Sequence, residues 1–90
     1  MKRISASDVR SYLLQRFALM IAANGLDPGA LGRDFDLLRA GVIDSLGVLE
    51  MISAVEQRFG IRVDFETMDP ADLTVLEKFC SFVAENAVDT

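Results

Sequence analysis

Ninety residues suffice for one small domain with a modest core but not for a substrate cleft enclosed on all sides, which favours a binding or carrying module over an enzyme. Fourteen acidic against nine basic residues leave a net charge of −5, which argues against nucleic acid and makes a basic protein surface the better partner. The absence of histidine removes the commonest general base and metal ligand together, and hydrolase and zinc readings lose most of their support.

Met1-Lys2-Arg3 followed by the apolar run Phe17 to Ala23 imitates a signal peptide. Asp8, Arg10, Gln15 and Arg16 intervene, however, and the run is far short of the roughly 20 residues of a membrane span. The expectation is a cytoplasmic protein with no membrane span. Ser5-Ala6-Ser7-Asp8 reads as a helix entrance, with hydroxyls to accept backbone N–H groups and a carboxylate in the first turn. Val9, Tyr12, Leu13, Phe17, Met20 and Ile21 recur at spacings of three and four, predicting one helix whose core face ends near Asn24-Gly25.

From Leu26 to Ile43 the period fails and turn formers gather at Asp27-Pro28-Gly29, Gly32 and Gly41. This predicts a long first loop, anchored by Phe35, Leu37 and Leu38, with a short helical turn possible at Asp34 to Leu38. Asp34 and Asp36 alternate like part of a calcium loop, but the third ligand, central glycine and closing glutamate are missing, so no metal site is expected.

Asp44-Ser45 opens a second helix that runs to Phe59 and stops at Gly60. Leu46, Leu49, Ile52, Val55 and Phe59 are spaced to face a core. Val48 and Met51 widen the apolar arc beyond the roughly 100° one core face needs, leaving open whether they fill the core or meet a partner. Ser45 thus stands at a helix mouth, where unpaired N–H groups and the positive end of the peptide dipoles favour an anion by about 0.3–1 kcal/mol. Asp and Ser are also ordinary cap residues, and Asp44-Ser45 alone would read as a cap.

Ile61 to Phe65 alternates like a strand without a visible partner, and reads as an extended connection. Glu66 to Asp72 contains Pro70 and can hold a short helix. Thr74 is a natural cap for a last helix through Val75, Leu76, Phe79, Phe82 and Val83, fraying after Asn86. Cys80, the single cysteine, reads as a buried structural thiol.

The stretch Leu37 to Phe59, with Val42-Ile43 ahead of the Asp-Ser-Leu triplet and the amphipathic helix behind it, resembles the attachment region of acyl and peptidyl carrier proteins. The resemblance implies an all-α, four-helix bundle, three helices long and one short, with a long first loop, as a single domain over residues 1–90. It implies phosphopantetheine covalently attached at Ser45, with Asp44 and Leu46 flanking it. It also implies a non-catalytic, monomeric carrier that shuttles thioester-bound acyl or aminoacyl intermediates. Its partners would be a phosphopantetheinyl transferase and acyl or aminoacyl ligases, transferases or synthases. Fatty-acid carriers usually continue the serine into a strongly acidic helix; here Gly47 follows Leu46, and Gln57-Arg58 follows Glu56. Leu46, Val48 and Met51 are therefore the leading partner contacts, with Glu50 and Glu56 secondary, and a free-standing carrier of a specialised pathway, such as polyketide or nonribosomal peptide assembly, is preferred to the fatty-acid carrier. The alternative is a helical adaptor domain without a prosthetic group, in which Ser45 only caps.

Overall fold

A computed structural model of the protein describes residues 4–89; the Met1-Lys2-Arg3 feature lies outside the described residues. Among the described residues there are four α-helices: α1 (Ala6–Arg16), α2 (Ala18–Ala23), α3 (Ser45–Phe59) and α4 (Leu76–Asn86). This is the expected all-helical bundle with three long helices, one short helix and a long first loop.

The capping expected at Ser5 is reciprocal: the Asp8 amide donates to Ser5 Oγ (3.0 Å) and the Ser5 amide to Asp8 Oδ2 (3.2 Å). The predicted first helix is in fact two segments, because Phe17 leaves helical geometry at φ −103°, ψ 13°. The apolar stripe survives the break. Phe17 N–H still donates to the Leu13 carbonyl and Ile21 N–H to the Phe17 carbonyl, so Val9, Leu13, Phe17 and Ile21 continue into the core. Met20, expected in that stripe, is half exposed. The short helix of the bundle is therefore α2, whereas residues 66–72 form only a 3-10 turn, Phe65–Thr67, and turns beyond it.

The long loop is fastened to the start of α4. Asp36 and Val75 form an isolated antiparallel bridge; Leu37 N–H donates to the Thr74 carbonyl, Leu76 N–H to that of Phe35 and Glu77 N–H to that of Arg33. Thr74 does not cap α4, whose N-cap is Val75 without a side-chain bond. Its buried hydroxyl instead donates to Asp36 Oδ1 at 2.7 Å. The same oxygen accepts the Leu38 and Arg39 amides. Partial burial tends to raise the Asp36 pKa, but the bonds from Thr74, Arg39 and Leu38 outweigh it and hold the carboxyl below its ordinary value. Asp36 thus serves as a structural acceptor. Among the described residues no cluster of three potential metal ligands occurs.

The extended segment after α3 has a partner that the sequence reading missed. Strand β1 (Ile61–Arg62) pairs antiparallel with β2 (Val88–Asp89), Ile61 opposite Asp89 and Arg62 opposite Val88. Two residues on either side of a ladder carry too little pattern to register as strands. Phe65 closes the far end of the core by stacking on Phe79 and Phe82, with centroids 5.4 and 5.8 Å apart. Helices α1 and α4 pack along each other, and Cys80 is buried as expected, burial pushing its thiol up to about 12. No helix among the described residues is long and apolar enough to cross a membrane.

Candidate functional site

The path into α3 is fixed before the helix begins. Val42 and Ile43 are both buried, and their amides converge on the Leu37 carbonyl at 3.0 and 3.2 Å. The carbonyl belongs to the residue that the α4 junction itself holds, so the fastened loop delivers the chain to Asp44 in one orientation. Asp44 then caps: its backbone is extended, and its Oδ1 accepts the Gly47 amide at 2.7 Å. Gly47 is demanded by packing, since a Cβ there would stand 2.9 Å from Ile43 Cβ and 3.4 Å from Asp44 Oδ1. The absence of an acidic side chain at that position follows from this close approach.

Ser45 is the first residue of the 15-residue α3, and it is exposed. Of the opening amides, Gly47 is taken by Asp44 Oδ1 and Val48 by the Asp44 carbonyl at 3.1 Å. The Ser45 and Leu46 amides precede the first possible intrahelical acceptor, and neither has a bond to another described residue. An accessible hydroxyl beside two open N–H donors at the positive end of a four-turn helix fits a phosphodiester on that oxygen.

The two faces of α3 divide differently from the sequence expectation. The buried stripe consists of Met51 and Val55, with Val48, Ile52 and Phe59 packed partly against the core. Leu46 and Leu49, expected to face the core, are 65% and 63% exposed. Met51 is 0% exposed, which corrects its assignment as a partner contact. At about 100° per residue, Val48, Met51, Ile52, Val55 and Phe59 fall on one arc, while Leu46 and Leu49 lie on the far side. Glu50 is exposed; Glu56 is half-buried, its carboxylate accepting the Val63 amide at 3.1 Å.

A groove of about 410 Å³ lies between the α1–α2 break (Phe17, Met20), the lead-in (Val42, Ile43, Asp44) and the flank of α3 that bears Leu46, Gly47 and Glu50, and Ser45 is not among its walls. Phe17 and Met20 reach this groove only through the packing of the segment around the α1–α2 break, which no period in the chain foretells.

The family model described as "Phosphopantetheine attachment site" matches residues 12–83. The chain is similar to a D-alanyl carrier protein of Streptococcus suis strain 98HAH33, 42% identical over 52 residues, which cover 58% of this chain and 66% of that protein. It is likewise similar to the D-alanyl carrier proteins of Streptococcus sanguinis strain SK36 and Streptococcus suis strain 05ZYH33, each 40% identical over 52 residues with the same coverage. The matched stretch thus spans just under two thirds of these relatives' length. No solved structure gives a significant match. In this family the protein is a non-catalytic carrier with phosphopantetheine covalently attached to a serine. The chain belongs to the phosphopantetheine-attachment family of carrier proteins.

Proposed function

We propose that Ser45 is the attachment serine. On this reading the protein carries a thioester-bound acyl or aminoacyl group from a loading ligase to an accepting enzyme, within a specialised pathway. The observation that supports this most is the exposed Ser45 hydroxyl at the first position of α3, beside two open amides and behind a lead-in anchored on both sides. The chain's own contribution is positional. Asp44 and the buried Val42-Ile43 pair hold the serine outward, and the helix end favours the phosphodiester charge.

Similarity to D-alanyl carriers supports a small aminoacyl cargo, and D-alanine is the first cargo to test. The exposed Leu46 and Leu49, with Glu50 beside them, form the proposed partner face.

The test is mass spectrometry after incubation with a phosphopantetheinyl transferase and coenzyme A. The wild type is expected to gain one phosphopantetheine, and Ser45→Ala to fold normally yet gain none. A full mass gain in Ser45→Ala would refute the assignment.

A further inference from the structure

We propose that Thr74 and Asp36 are positioning residues for the attachment reaction: together they orient the first turn of α3, and with it the Ser45 hydroxyl, for the transferase. This rests on the attachment at Ser45 proposed above. The core sets the axis of α3 through the fully buried Met51 and Val55, but both lie beyond its first turn. How the chain enters that turn is decided at Leu37. The Leu37 carbonyl accepts both lead-in amides, and its N–H donates to the Thr74 carbonyl at 2.9 Å. Thr74 also grips the preceding residue, its hydroxyl donating to Asp36 Oδ1 at 2.7 Å.

Every backbone amide from Leu37 to Ile43 is bonded. Leu38 and Arg39 donate to Asp36 Oδ1, Ala40 to the Asp36 carbonyl and Gly41 to the Leu38 carbonyl, the turn being closed by Gly41 at φ +78°. The Ser45 and Leu46 amides, by contrast, are open. A displacement at Thr74 therefore passes through a fully bonded turn to Asp44 and the serine. In attachment the Ser45 oxygen bonds to the phosphorus of coenzyme A that bears pantetheine. The phosphoanhydride bond breaks, adenosine bisphosphate leaves, and the hydroxyl proton passes to solvent. Such a displacement needs the attacking oxygen in line with the leaving group, and a misplacement of about 1 Å can cost about 100-fold.

The experiment compares variants with a phosphopantetheinyl transferase and coenzyme A, following the mass gain over time, with NMR amide exchange on the same apo proteins. We expect Thr74→Val to lower kcat about tenfold with KM nearly unchanged, and to speed exchange at Val42 and Ile43 but not at Val55. Thr74→Ser keeps the hydroxyl and should restore both. Val83→Ala, which truncates a buried residue of α4 away from the clasp, should be modified at the wild-type rate. A wild-type rate in Thr74→Val, or an equal slowing in Val83→Ala, would overturn the positioning role and leave the carrier reading standing. Should Thr74→Val fail to fold, Asp36→Asn decides: slower modification with faster exchange at Val42 and Ile43 supports the role, and a wild-type rate overturns it. A wild-type mass gain located anywhere but Ser45 would overturn both readings.

Discussion

Asp44 combines two roles at the scale of a single residue. Its Oδ1 caps α3 through the Gly47 amide, a contribution of about 0.5–2 kcal/mol judged from replacement by alanine. Its charge stands next to Ser45, the serine proposed for attachment. Asparagine keeps the capping oxygen and removes the charge, so Asp44→Asn should melt close to wild type while being modified more slowly. Asp44→Ala should lose about 1 kcal/mol as well. Thermal melting and a mass-spectrometric time course separate the effects; equal modification rates for Asp44→Asn and wild type would show that the charge plays no part.

Two elements govern whether Ser45 is presented, and each can be probed. The first is the loop fastening at Asp36. Its folded pKa lies below 3.8, so the stability it contributes is present above that value and is lost as pH falls through the folded pKa. Thr74→Val preserves shape but deletes the bond from the Thr74 hydroxyl. Bonds to charged groups contribute about 1.5–3 kcal/mol, and the half-open site puts this one at the lower end. The variant should be less stable at pH 7, with its deficit shrinking as pH falls below about 4; denaturant titrations at several pH values check this, and a deficit independent of pH would point to packing alone. The second element is α3. Met51→Ala should cost about 2–5 kcal/mol as a buried methionine, whereas Leu49→Ala should leave melting nearly unchanged and weaken binding of a loading or accepting enzyme. Unfolding by Leu49→Ala, or a Met51→Ala protein as stable as wild type, would reverse the two faces assigned to α3.

For the whole molecule, the net charge of −5 is spread over a surface on which α3 contributes only Glu50 and Glu56 as acids, the latter held by the Val63 amide. Docking through Leu46 and Leu49 should therefore depend only modestly on salt, because screening acts on exposed charges and little on apolar contact. Titration calorimetry at low and physiological ionic strength measures this; a steep loss of affinity with salt would return the acids to the leading role. The chain alone determined the helical class, the Ser5 cap, the bounds of α3 (Ser45–Phe59, stopped by Gly60) and the burial of Cys80, because each depends on periodicity or on residues within one turn of each other. The resemblance added the proposal that Ser45 is the attachment serine. Tertiary structure alone decided that Thr74 bonds Asp36 across 38 positions, that β1 finds β2, that Met51 is core while Leu49 is surface, and that Phe17 and Met20 share a groove with Leu46 and Glu50. These outcomes are set by which segments pack together, and a contact between distant positions leaves no period in a single sequence from which it could be read.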